Sequence, residues 1–276
     1  MESIKELREV LQAKKVNPVG WRRPWGYKTF QRGPSIYITR ILLNTRVTPT
    51  YVTIAGILIG LAGCFFLLSL EWYIKLLGLF LLYLNILSDK VDGEIARYKK
   101  IYDLQGLYWD EINHLVIPAL AWLALAFGVV PLSQFLDIGL WFFGAGILGA
   151  LALMTIRVTH SLAPQIYGKK YLKYKELYPQ IQNSMTDIEP PKKSASFFRT
   201  LIRAVHELQD FFIVIAAAGF IVIIEQAFFR DSIFHPILAN YILFMSALFI
   251  LFAIENIIKK SFSLESDIER ITQIGK

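Results

Sequence analysis

Residues 87–114 read LSDKVDGEIARYKKIYDLQGLYWDEINH and place Asp89, Asp92, Glu94, Asp103, Asp110, Glu111 and His114 between two long apolar runs. Acids are costly in a hydrocarbon layer or a tight core, so a chain that keeps several of them there needs something to hold them. The reading of the fold turns on what that is.

Composition fixes the setting. The chain has 276 residues, 55% of them hydrophobic and 14% aromatic, and a mean hydropathy of +0.45. These values lie outside the usual range of soluble domains and predict an all-α integral membrane protein. Working outward from the acidic stretch, Thr50–Leu70 (TYVTIAGILIGLAGCFFLLSL) is uncharged and long enough to cross a bilayer as a helix. Further apolar runs start near Trp72 and cover Leu104–Val130, Ile138–Val158, Phe211–Phe228 and Ile237–Ile258, which predicts about six transmembrane helices. A juxtamembrane helix over Ser35–Asn44 precedes them, with Ile36, Ile41 and Leu42 on one side.

Basic residues set the orientation. They crowd the N-terminal 49 residues, the turn at Arg97, Lys99 and Lys100, and the segment from Thr159 to Leu208, while the connections near Leu70 and Val130 carry almost none. Both termini are therefore expected in the cytoplasm, and the formal charge of +7 suits anionic lipid head groups without invoking nucleic acid. The expected organisation is a cytoplasmic amphipathic arm (1–33), a membrane domain (34–258) with a long cytoplasmic connection (159–208), and a cytoplasmic tail (259–276). In the arm, Ile4, Leu7, Val10 and Leu11 recur at helical spacing, as in a helix lying on the membrane or on the protein. The charged N-terminus lacks the pattern of a cleavable signal. A surface helix is expected from near Ser196. Cys64, the single cysteine, falls within the first span, where it forms no intrachain disulfide and packs. Gly56, Gly60 and Gly63 in the first span, and Gly144, Gly146 and Gly149 in the fourth, are expected where helices approach closely.

The acidic stretch then acquires a geometry. If the turn centres on Ile101, Asp92 and Asp110 each lie nine residues from it, and Asp89 and His114 twelve and thirteen. On two antiparallel helices these pairs reach matching depths, roughly 13 and 19 Å along the helix from the turn at about 1.5 Å per residue. Asp89, Asp92 and Ala96 share one face of the first helix, and Gly106, Asp110 and His114 share one face of the second. Carboxylates gathered in this way repel one another unless neutralised, and hard divalent cations with phosphate oxygens neutralise them. Ala96 and Gly106 leave room for a flat group, Gly93 allows close approach to the backbone, and Arg97 at the mouth can pair with phosphate. Near the ends of their segments, Arg157, His160 and Arg203 are candidates for holding an acceptor phosphate.

The string D89-x2-D92-G93-x2-A96-R97-x8-G106-x3-D110-x3-H114 resembles the signature of the CDP-alcohol phosphotransferase family, D-x2-D-G-x2-A-R-x8-G-x3-D-x3-D. Only the last position departs, with His114 in place of an aspartate. Thr48, Pro49, Thr50, Thr53 and Gly56 also resemble the family's opening segment, with Thr50 where Asn is common. The resemblance covers residues 33–158; beyond them it rests on hydropathy. It implies a membrane enzyme, usually a homodimer, of phospholipid or related lipid biosynthesis. Such an enzyme would move a substituted phosphate from a CDP-linked donor, here CDP-diacylglycerol, to an alcohol acceptor and release CMP, using Mg²⁺ or Mn²⁺, as two ions. Carried over by position, Asp89, Asp92 and Asp110 would bind the metals, Gly93, Ala96 and Gly106 would line the cytidine pocket, and Arg97 would contact the diphosphate. His114 would be the general base or a metal ligand, because imidazole can serve either role. Competing readings are transfer from a soluble CDP-alcohol to a lipid or polyol acceptor, an ion-coupled transporter, and a membrane scaffold with a degenerate site. No repeat between halves supports the transporter.

Overall fold

The computed structural model describes residues 3–16, 26–101, 103–171, 206–229 and 235–274, and these are helical with short connections. Helix α1 (Ile4–Leu11) starts with a capping box, in which the Glu6 amide donates to Ser3 Oγ and the Ser3 amide to Glu6 Oε2. The short α2 (Ala13–Val16) follows, and a π-helical turn (Tyr27–Arg32) leads into α3 (Gly33–Leu43). The long helices are α4 (Pro49–Leu67), α5 (Trp72–Lys99), α6 (Leu104–Phe127), α7 (Leu140–Tyr171), α8 (Phe211–Phe228) and α9 (Pro236–Ile274). Their starts obey local chemistry. Thr48 caps α4 with Pro49 in its first turn, and Asp103 and Asp210 accept backbone amides at the starts of α6 and α8. Lys100 ends α5 in a left-handed conformation at φ 53°, which puts the turn where the charge pattern places it.

Among the described residues, five helical stretches are long and apolar enough to cross a membrane: α4, α6, Leu132–Thr159, α8 and Pro236–Phe262. The sixth expected span, α5, has 28 residues, about 42 Å at 1.5 Å per residue. It is not one of the five, and it carries Lys75, Asp89, Lys90, Asp92, Glu94, Arg97 and Lys99. Two elements run past their expected ends. α7 continues through Tyr171, into the expected connection, and α9 continues through Ile274, across the expected tail. The helix expected near Ser196 lies mostly outside the described residues.

Packing closes the six long helices into a ring, α4 against α5, α5 against α8, α8 against α9, α9 against α7, α7 against α6 and α6 against α4. Although α5 and α6 are consecutive, their backbones pack only weakly on one another, and α4 fills the angle between them. The core is apolar, built from residues such as Leu82, Ile117, Val222, Leu238, Ile242 and Phe249. A hydrogen bond from Trp122 Nε1 to Ser246 Oγ at 3.0 Å joins α6 to α9. The close approach expected of glycine is clearest where α4 meets α5. A Cβ on Gly63 would lie 2.9 Å from the Gly78 carbonyl oxygen, and one on Gly56 would lie 1.9 Å from Ser88 Oγ. Gly146 and Gly149 also contact neighbours, but Gly144 faces open space, so the packing role does not extend to it.

The two ends of the ring are pinned differently. At one end α1 lies on the protein, with Leu7 and Leu11 buried against Ile36 and with Ile4 and Leu43 beside them. Val10, expected on that apolar face, is exposed, and so is Ile41 of α3, because the contact face of each helix is narrower than its apolar stripe. Beneath this arm Glu94 is wholly buried. It accepts hydrogen bonds from Gln12 Nε2 (2.9 Å), Arg32 Nη1 (2.8 Å), Ser35 Oγ (2.8 Å) and Thr39 Oγ1 (2.6 Å). At the opposite end buried Lys75 donates to the carbonyls of Leu67, Ser69 and Gly128, tying together the ends of α4 and α6. Glu225 there accepts the Ile237 and Leu238 amides and faces His235 Nδ1 at 2.7 Å.

Removing Arg32 would leave the Glu94 carboxylate buried without its cation, at a cost of about 3–5 kcal/mol. Arg32→Ala should therefore lower the thermal midpoint in detergent and expose the arm to protease, and adding Glu94→Gln should recover part of the loss. A single variant as stable as the parent would show that this ion pair does not hold the arm.

Candidate active site

The site forms where α5 and α6 diverge. Asp89 projects from α5, Asp110 and His114 lie one helical turn apart on α6, and His114 Nε2 stands 3.2 Å from Asp89 Oδ1 and 3.5 Å from Asp110 Oδ1. One ligand atom from each of the three lies within 4.8 Å of the others. Asp110 Oδ1 is buried and finds no hydrogen-bond partner among the described residues. Two carboxylates, one with an orphaned oxygen, and an imidazole nitrogen fit the donor set of a divalent cation. Asp89 also forms an ion pair with the adjacent Lys90, which a cation would have to share.

Asp92, one turn nearer the arm, stands outside this group of three, and its Oδ2 accepts from Thr53 Oγ1 of α4 at 2.6 Å. The neighbouring helix thus orients the second carboxylate. On the same mouth side, a Cβ on Gly106 would lie 3.1 Å from Thr50 Oγ1, which itself bonds Asp103 Oδ2. A Cβ on Gly93 would lie 3.4 Å from Arg97 Nη1. Arg97 reaches across to the arm, its Nε donating to the Leu11 carbonyl at 3.1 Å. Ala96 is half-buried at the end of the α5 stripe.

Of the three residues considered for an acceptor phosphate, Arg157 on α7 is the one whose side chain is described. Its Nη2 pairs with Glu111 Oε1 at 2.9 Å, while its Nε is buried without a hydrogen-bond partner among the described residues. The His160 side chain and Arg203 lie outside the described residues.

Several contributors escape a reading of the sequence. Asn85 Nδ2 donates to Asn113 Oδ1 (2.8 Å) and to the Gly56 carbonyl (2.9 Å), forming a buried polar bridge between α5, α6 and α4 below the carboxylates. Helical arithmetic turns Asn113 away from the Asp110–His114 stripe, and only the packing partner shows its use. Glu94 is read as one more acid of the series, whereas it is the anchor of the arm. A single charged residue deep in an apolar run is the available signal for Lys75.

A polar, ligand-type cluster held between transmembrane helices defines the class, a multi-pass membrane enzyme. The profile of the CDP-alcohol phosphatidyltransferase family matches residues 46–263, most of the chain, and the protein belongs to that family. It is therefore a phosphotransferase, of a kind that transfers a phosphate group from a CDP-alcohol to an acceptor and that generally depends on a divalent metal. The match extends beyond Val158, where the resemblance in sequence rested on hydropathy, and it excludes the arm. No curated protein sequence gives a significant match.

Thr53→Val keeps the shape of the side chain but removes the hydrogen bond to Asp92. Since a hydrogen bond to a charged group contributes about 1.5–3 kcal/mol, chemical unfolding in micelles should register a loss of that size, and Thr53→Ser should restore it. Equal stability of Thr53→Val and the parent would rule the bond out.

Proposed function

We propose that the chain transfers a substituted phosphate from CDP-diacylglycerol to an alcohol at the cytoplasmic side of the membrane. The observation that carries the reading is the convergence of Asp89, Asp110 and His114 within one ligand sphere, with Asp92 a turn away on the same face as Asp89. The orientation rests on the basic residues around the arm and the α5–α6 turn.

The acceptor oxygen forms a bond to the phosphorus that carries the diacylglycerol group. The bond from that phosphorus to the bridging oxygen breaks, and CMP leaves with that oxygen. Asp89, Asp92 and Asp110, joined by His114 only in its alternative role as a ligand, would hold Mg²⁺ or Mn²⁺, which when bound supplies positive charge to the diphosphate oxygens. Gly93, Ala96 and Gly106 leave the mouth open for the cytidine, and Arg97 lies beside it to meet the diphosphate. His114 is placed to take the proton of the acceptor hydroxyl, because its Nε2 faces Asp89 and Asp110, whose negative charge stabilises the imidazolium that results. A lone pair bound to a metal cannot accept that proton, so ligation by Nε2 is the alternative role.

Purified protein incubated with CDP-linked donors and alcohols should release CMP, and Asp92→Asn should abolish the release while leaving the protein folded. Activity persisting in that variant would sink the assignment. If His114 is the base, His114→Ala should lose about 10²–10⁴-fold in turnover with donor binding little changed. The parent's rate should also fall as pH drops through the imidazole pKa, about 6.5 when unperturbed, because protonation removes the base. Rescue of His114→Ala by excess metal would point instead to ligation, and unchanged turnover with metal still bound would exclude both roles.

A further inference from the structure

The arm encloses a space of its own, apart from the carboxylates. A cavity of about 500 Å³ lies between the α1–α2 segment and the π-helical turn that leads into α3, within the roughly 300–1,000 Å³ of sites for small ligands. From the arm, Arg8, Gln12, Ala13 and Val16 line it, and from the turn Lys28 and Thr29 do so. Gln12 ties this space to the Glu94 anchor, because its buried side chain donates to Glu94 Oε1 at 2.9 Å and to the Arg32 carbonyl at 2.8 Å. The cavity lies wholly outside residues 46–263, the stretch matched by the family profile.

Charge, chemistry and level identify the occupant. The lining holds two cations, Arg8 and Lys28, and one acid, Glu9, a balance of one positive charge that matches a single phosphodiester anion. Neither cation joins an ion pair among the described residues; Arg8 lies over the Tyr37 ring at 5.9 Å. The same excess runs through the whole N-terminal segment. Its first 49 residues contain ten Lys or Arg and three Glu, so they carry all of the formal charge of +7 and the rest of the chain is neutral. Ala13, Val16 and the aliphatic stems of Arg8 and Lys28 add apolar surface, which suits the glycerol and upper acyl carbons of a lipid better than a fully hydrated ion. The turn also sits at membrane level. Phe30 stacks on Phe212, in the first turn of the spanning helix α8, with ring centroids 5.9 Å apart, and its carbonyl accepts from Tyr83 Oη of α5 at 2.6 Å.

We propose that this cavity binds the head group of an anionic phospholipid from the leaflet on the arm side, its phosphodiester held by Arg8 and Lys28, and that the bound lipid clamps the arm onto α3. The clamp reaches the mouth of the active site. Leu11, next to Gln12, supplies the carbonyl that holds Arg97 Nε at 3.1 Å, so a lipid that fixes the arm also fixes Arg97. The inference does not depend on the transferase reading.

The test uses the full chain in micelles of a neutral detergent, titrated with phosphatidylglycerol, with phosphatidylcholine and inorganic phosphate as comparisons. The thermal midpoint and the rate at which proteinase K removes the arm are the readouts, and neither needs turnover. Phosphatidylglycerol should raise the midpoint and slow the cleavage along a saturating curve, as a ligand of the folded state does, and neither comparison should at the same concentration. Arg8→Gln combined with Lys28→Gln should raise the half-saturating concentration by about tenfold or more, as expected for the loss of two charged contacts. Ala13→Trp, which keeps both cations and fills the cavity, should do the same, and midpoints without lipid check that each variant folds. Lys5→Gln combined with Arg46→Gln removes equal charge from exposed positions outside the lining and should leave the curve nearly unmoved. Equal weakening by that pair overturns the site in favour of general attraction to a charged surface. A curve unmoved by both Ala13→Trp and the Arg8–Lys28 pair places the lipid elsewhere and also overturns it. No response to phosphatidylglycerol, or an equal response to phosphatidylcholine or inorganic phosphate, removes the anionic lipid as occupant.

Discussion

A carboxylate with no exposure, Glu94, holds the arm end of the molecule together. It lies two residues beyond Asp92 and three before Arg97 on the same helix, and its four donors come from two segments that precede the first crossing helix, 11–16 and 27–43. Burying that charge is tolerable only because each oxygen is paired, with one full cation and three neutral donors. The arm is consequently part of the wall of the site. Arg97 confirms the arrangement, since its guanidinium bonds the last turn of α1 while its Nη1 lies over Gly93.

The second organising fact is the wedge between α5 and α6. Two consecutive antiparallel helices would ordinarily pack along their length. Here α4 takes that contact with both, using Gly56 and Gly63 to come close to α5, and the carboxylates and imidazole bridge the opening that remains. The wedge leaves a cavity of about 260 Å³ that Asp89 and His114 help to line.

Much of this was legible in residues 87–114. Helical spacing puts Asp89 and His114 at one depth, and the structure brings them to 3.2 Å. It puts Asp92 and Asp110 at one depth as well, yet Asp92 is turned toward Thr53, because a third helix intervenes and periodicity specifies a face without naming what lies against it. The same limit explains Val10, Ile41 and Gly144, each on an apolar or small-residue stripe and each without the expected neighbour. It also explains the Asn85–Asn113 bridge, whose members belong to no motif. The ring order depends on the later helices, about which the local pattern around the acids is silent.

The polarity of α5 bears on how this helix is held in the bilayer. Taken alone, this helix is a poor candidate for partition into lipid, with Lys75 near one end and six further charged residues toward the other. Lys75 acquires its carbonyl partners only when the ends of α4 and α6 are present, since Leu67 and Ser69 precede it and Gly128 follows more than fifty residues later. Satisfying that charge is therefore a property of three helices taken together rather than of α5 alone, and the place of α5 in the bilayer depends on its neighbours.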